Sequence, residues 1–170
     1  MTERVMQCEE NVIERIRRHP LFQSYCKRLE QAEQDRHFCC HQMNHLLDVA
    51  RIAYIQNLEQ NLGFSKTMIY AAALLHDIGK VRQYEEGIPH ETASADIAKI
   101  ILRDVSDKIG AQEQKEILQA ILEHRRYREE MSSFGKLLYL SDKKSRQCFV
   151  CPAEAECNWS IEKKNMEIEI

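Results

Sequence analysis

The chain has 170 residues, 44% of them hydrophobic and 30% charged, with a formal net charge of −3. That is enough for one self-sufficient core, plus at most a short appendage, and it is ordinary for a soluble globular protein. The acidic balance argues against a nucleic-acid binder, which usually shows a basic face, and leaves room for a local basic pocket. No apolar run approaches the roughly 20 residues of a membrane span. The start, MTERVMQCEENVIERIRR, lacks the apolar segment of a signal peptide. A cytoplasmic protein is therefore expected, with no membrane partner.

Three prolines and five glycines punctuate the chain, and apolar residues recur at helical spacing nearly everywhere, so an all-α helical bundle is expected. The spacing predicts a first helix over residues 3–18, ending before His19-Pro20 because proline disfavours helix in the residue before it. A second is expected over 21–33 and a third over 38–62. Leu46, Val49, Ala50, Ala53 and Leu58 form the buried stripe of the third, and Gly63 stops it. Ser65 reads as the N-cap of a helix over 66–77. The run from Ile69 to Leu75 in this helix is apolar nearly all round, which predicts a central place in the core. Gly79 breaks it, and residues 81–89 read as a loop. Helices follow over 91–104, 112–127 and 132–145, with Gly110 as a further break. After Arg146 the chain turns cysteine-rich and then polar.

Several metal-binding side chains stand beside core positions. His45 lies on the stripe of the third helix, and His76-Asp77 ends the apolar one. His90 follows Pro89. His124 ends a helix carrying Ile117, Leu118, Ile121 and Leu122. Asp142 follows Leu137-Leu138-Tyr139-Leu140. In a helical bundle such residues can converge on one interior point. Neighbours such as His76 and Asp77 point about 100° apart around a helix, which suits a metal at the helix end. Histidine with carboxylate suits first-row divalent ions, and an ionised aspartate is costly to bury without a partner. A lone histidine on an apolar face is more often a hydrogen-bonded core residue. His19, His37 and His41 read that way, and Asp77 or Asp142 taken singly could be an ion-pair residue. The whole set together is poorly explained so.

The pattern His45-Leu46-Leu47-Asp48-Val49-Ala50, then His76-Asp77, then Asp142 in YLSD resembles the HD superfamily of metal-dependent phosphohydrolases over residues 38–146. His90 and His124 look like the two additional ligands of its binuclear members. The stretch EHRRYREEMSSFGKLLYLSD, with His124, Met131-Ser132, Lys136, Tyr139 and Asp142, is similar to the bacterial HD-type diadenosine tetraphosphate hydrolases, as is Ile78-Gly79-Lys80. The HD-type cyclic-dinucleotide phosphodiesterases share the Ile78-Gly79-Lys80 likeness but fit less well. They usually carry paired histidines where this chain has His124-Arg125, and a Gly-Tyr-Pro signature that it lacks. The chain departs from the hydrolases after Asp142, where Lys143-Lys144-Ser145-Arg146 and cysteines replace the family's tail.

The resemblance implies N-terminal helices over 1–36 packing on an HD metal-binding domain over 37–146, with a cysteine-containing tail over 147–170. It implies His45, His76, Asp77 and Asp142 on one metal, with Asp77 bridging to a second held by His90 and His124. The metals would be two first-row divalent ions, Fe or Mn before Ni, Co or Zn. A metal-activated hydroxide would cleave a phosphoester or phosphoanhydride of a nucleotide or dinucleotide such as diadenosine tetraphosphate. Asp77 and Lys80 are the catalytic candidates, Asp77 as proton acceptor. Lys80 and Arg125 are the cations for substrate phosphate. Arg126, Arg128 and Arg146 read as solvated. A homodimer is open. So are two other readings: a mononuclear HD 5′-nucleotidase in which His90 and His124 bind phosphate, and a non-catalytic metal or redox sensor.

Seven cysteines are many for a reducing compartment, and Cys148-x2-Cys151-x5-Cys157 points to metal more than to disulfides. Three cysteines can hold zinc or an iron–sulfur cluster with a fourth ligand from elsewhere, Cys39 or Cys40. The spacing also resembles the cysteine arm of some iron–sulfur nucleases. Three reduced thiols are the plain alternative. Cys8 and Cys26 read as ordinary thiols.

Overall fold

The computed structural model describes residues 11–168. Residues 3–10 of the first expected helix, and Cys8, lie outside them. Eight α-helices and three short 3-10 turns make up the described chain, with no strand among the described residues, so the fold is all-α as expected. No described helix is long and apolar enough to cross a membrane.

Helix α1 (Val12–Arg18) starts at Asn11, whose side chain accepts the Ile13 N–H at 3.0 Å. Helix α2 (Pro20–Ala32) begins on its proline, and His19 Nδ1 accepts the Leu21 N–H. Proline suits this position because that N–H has no helical partner anyway.

Helix α3 (Met43–Glu59) is shorter at both ends than expected. At its start, the buried Glu33 carboxylate takes the His41 backbone N–H at 2.6 Å and also holds the His41 ring and the Tyr84 hydroxyl, so residues 38–42 follow a loop path. At its end, the Asn57 side chain bonds both the N–H and the C=O of Phe64 and folds the chain back. Leu46, Val49, Ala50 and Ala53 are buried, but Leu58 is 57% exposed, because it lies on the last turn before the chain leaves the core.

Helix α4 (Lys66–Leu75) is capped by Ser65, which accepts the Met68 N–H at 3.1 Å. It packs against α1, α3, α7 (Ala111–Glu123), α6 (His90–Asp104) and α8 (Ser133–Lys144). Its residues Ala71 to Ala73 are fully buried, and their small side chains let these neighbours approach closely. Ile69, Leu74 and Leu75 are buried with them, each contributing roughly 1.5–3 kcal/mol. This central helix ends where His76 begins the site.

The segment expected as a loop over 81–89 is largely a helix, α5 (Lys80–Glu86). Two turns bring the chain straight from α4 into it, Lys80 N–H to Asp77 O and Arg82 N–H to Gly79 O. The Arg82–Glu86 pair then braces it one turn apart. Gly87, with φ +73°, ends it in the left-handed region that glycine tolerates. The 3-10 turns Cys148–Val150, Glu154–Glu156 and Ile161–Lys163 form the tail. Asn165 ties this tail to the helical body by donating to Lys144 O at 2.8 Å and Arg146 O at 2.9 Å.

Candidate metal centre

Five elements deliver six buried side chains to one point. His45 comes from α3, His76 and Asp77 from the end of α4, His90 from the first turn of α6, His124 from the end of α7, and Asp142 from α8. They form two donor groups. His45, His76, Asp77 and Asp142 each offer an atom within 4.8 Å of the others, and so do Asp77, His90 and His124. Asp77 belongs to both. Its Oδ2 lies 3.4 Å from His45 Nε2 and 3.1 Å from His76 Nε2. Its Oδ1 lies 3.4 Å from His90 Nε2 and 3.5 Å from His124 Nε2.

The outer nitrogens of the four rings settle which nitrogen faces inward. His76 Nδ1 donates to Ala73 O at 2.7 Å, and His124 Nδ1 to Ile121 O at 2.6 Å. A carbonyl only accepts, so both rings carry their proton on Nδ1. His90 Nδ1 lies 2.7 Å from Gln83 Oε1. His45 Nδ1 lies 3.1 Å from Ser145 Oγ, whose own hydrogen goes to Asp142 O. Each ring thus turns its Nε2 to the centre, the arrangement by which ligating histidines are usually oriented. His90 Nε2 and His124 Nε2 face each other at 3.2 Å. Two lone pairs that close repel unless a cation lies between them.

The electrostatics agree. His76 Nε2 and Asp142 Oδ1 are buried without any hydrogen-bond partner, which is costly for a polar atom. Burial alone would raise Asp77 and Asp142. The charges of His76 and His41 near Asp77, and of Lys143 with the adjacent His45 and His76 rings near Asp142, outweigh it and hold both well below the usual carboxylate range. Burial would likewise lower His76, but Asp77 and Asp142 overcome it and raise it to about 10. The pocket therefore calls for positive charge at its centre. These residues fit a divalent ion, and the nitrogen–oxygen donor set is one that first-row metals accept.

Above the centre lies a cavity of about 410 Å³. It is lined by Lys80, Arg125, Arg126, Lys143, Arg146 and Lys163, with Trp159 and Asn158 from the tail. Lys80 is half-buried, and its burial lowers it from the ordinary lysine range. Arg125 reaches the cavity but is held by Glu91 at 3.0 Å. Arg126 lines the rim and is exposed, whereas Arg128 is exposed on the surface.

Arg146, expected in solvent, is buried. Its Nη2 lies 3.0 Å from His45 Nε2 and 3.6 Å from Asp142 Oδ1, and its Nη1 donates to Cys40 O. The signal available in the sequence was its place four residues after Asp142, where two helical side chains share a face. Glu123 was also missed. It accepts the Ser132 N–H and hydroxyl, the latter at 2.6 Å, and so braces the loop after His124 against the start of α8. His41 is a hydrogen-bonded buried histidine as expected and also lines the cavity. His37 is not a core residue: it is exposed beside Glu156.

Residues 43–147 match the family model described as HD domain. A protein of Clostridium beijerinckii described as uncharacterized is 49% identical over 144 residues, spanning 85% of this chain and 89% of that one. The crystal structure of a protein described as a predicted HD superfamily hydrolase, from an uncultured Thermotogales bacterium, superposes with a TM-score of 0.60. It is 21% identical and covers 92% of this chain and 88% of that one, a likeness of fold.

Proposed function

The chain belongs to the HD-domain family, and on that premise we propose that it is a metal-dependent phosphohydrolase that cleaves a phosphoester or phosphoanhydride bond of a nucleotide or dinucleotide. The observation that carries this reading is the Asp77 carboxylate, with one oxygen turned to His45 and His76 and the other to His90 and His124. That arrangement fits two first-row ions sharing one bridging ligand. When bound, such ions lower the pKa of water and neutralise phosphoryl oxygens.

The chain's own groups do the rest. Lys80 has no ion-pair partner among the described residues, so its ammonium is available to a phosphate as a point charge. Arg125 is oriented by Glu91 and can turn its remaining donors to a second phosphate oxygen. Arg146 and Lys143 bring further positive charge to the cavity floor. Trp159 offers an aromatic face on which a base can stack, which favours a nucleotide over a bare phosphate ester.

The experiment is a hydrolysis panel with the manganese- and iron-loaded protein: diadenosine tetraphosphate, nucleoside mono- and triphosphates, and a chromogenic phosphodiester. Turnover of a nucleotide substrate supports the reading, and no turnover of any member with metal bound overturns it. His124→Ala is expected to lose one of two bound ions, keep the other, and fall roughly a hundredfold or more in kcat. Elemental analysis beside the assay checks this.

A further inference from the structure

Cys148, Cys151, Glu154 and Cys157 follow one another at three-residue intervals. The backbone bonds Cys151 N–H to Cys148 O, Glu154 N–H to Cys151 O and Cys157 N–H to Glu154 O close each interval as a turn. These tight turns keep the four side chains close along the tail, and all four line one pocket. Cys39, from the loop before α3, lines the same pocket. Together Cys39, Cys148, Cys151 and Cys157 line one small, closed, largely apolar pocket with Phe38, Trp159 and Lys164.

The sequence left Cys39 and Cys40 open as the fourth ligand, and the structure separates them. The Cys40 thiol turns away towards Glu33 O and Phe38 O. Glu154, the member of this set that is not a cysteine, is taken by Lys164 at 2.7 Å. The six cysteines among the described residues are all free thiols.

The spacing of the sulfurs favours a cluster over a single ion. One zinc ion holds four sulfurs about 3.8 Å apart, given a bond of about 2.3 Å. Among the described residues no three cysteine sulfurs lie within 4.8 Å of one another. A cluster whose irons sit at separate corners spreads its four thiolates wider. We propose that Cys39, Cys148, Cys151 and Cys157 ligate one iron–sulfur cluster, of the four-iron type, which straps the tail over the metal centre's cavity. Trp159 lies on both walls, lining the cysteine pocket and the cavity, while Asn158 and Lys163 of the same tail line the cavity alone. Each cysteine gives up its thiol proton on ligation, and Lys164 supplies a positive charge beside the resulting thiolates.

The test is independent of any activity. Full-length protein purified without oxygen is analysed for acid-labile sulfide, which the histidine–aspartate centre cannot supply, and for visible absorption that bleaches on reduction. About four sulfides per chain are expected. Cys39→Ser should lose them and Cys40→Ser should keep them, with far-UV circular dichroism checking that both retain their helices. One zinc per chain without sulfide, no metal at the cysteines, or equal sulfide in the Cys39→Ser protein would each overturn the proposal. Amide hydrogen exchange over residues 148–165 is expected to quicken at least tenfold when the cluster is stripped. Unchanged exchange would overturn the strap.

Discussion

Asp77→Asn is expected to abolish metal binding in both donor groups and to lower phosphohydrolase turnover by at least about a thousandfold. The side chain is buried at 3% exposure between four imidazole nitrogens, 3.1 to 3.5 Å away. A carboxylate offers a negative oxygen to each pair. An amide offers one weak oxygen and one NH2 group, whose hydrogens would point at whichever pair it faced. The carboxylate's neutralising charge is lost as well, so His76 loses the main cause of its elevation. The fold should survive, because the α3–α4–α7–α8 core is apolar and does not include Asp77. Metal content, turnover and a thermal melt measured side by side separate the effects. A folded Asp77→Asn protein that retains two ions at wild-type affinity would refute the bridging role.

Gly79→Ala is expected to cost about 3 kcal/mol or more and to loosen the second donor group. The backbone there, φ −83° and ψ 0°, suits any residue, so the cost is purely one of space. An added Cβ would fall 2.3 Å from Ser94 N, 2.5 Å from Ala93 C and 2.7 Å from Ala93 Cβ. Most of these atoms are backbone of α6 and cannot swing aside. Either α6 moves away, taking His90 from Asp77, or the bond from Gly79 N–H to Ser94 Oγ at 2.9 Å breaks. Gly63→Ala makes the contrast. Its φ of +81° brings strain but nothing lies within 4 Å, so it should cost about 1 kcal/mol. Urea unfolding of the two variants checks the order, and a Gly79→Ala protein as stable as wild type would contradict the packing described here.

Parts of this arrangement were legible because residue type and period carry them. The apolar run of α4 has to be central, and a histidine–aspartate pair at its end has to face what the core encloses. The six donors could be read off beside core positions because buried aspartate and histidine demand partners. Their convergence could not, since it depends on how five elements cross. The 81–89 segment misled because a seven-residue helix has too few turns to show a period; the break expected at Gly79 is there, but a new helix starts directly after it. Leu58 misled because helical period does not say where the core stops. Arg146 looked like surface charge because arginine usually is, and only the fold brings its guanidinium to His45. The tail's contribution of Asn158, Trp159 and Lys163 to the cavity left no periodic trace at all.

The central claim is a two-ion centre joined by Asp77, and one titration tests it most directly. Chelator-stripped protein is titrated with Mn(II) in a calorimeter, with electron paramagnetic resonance spectra taken at each equivalent. Manganese prefers nitrogen and oxygen donors and leaves thiolates largely alone. Two ions per chain are expected, with spectra of an exchange-coupled pair at the second equivalent, as for ions about 3.5–4 Å apart. A single equivalent, or two uncoupled ions, would contradict it.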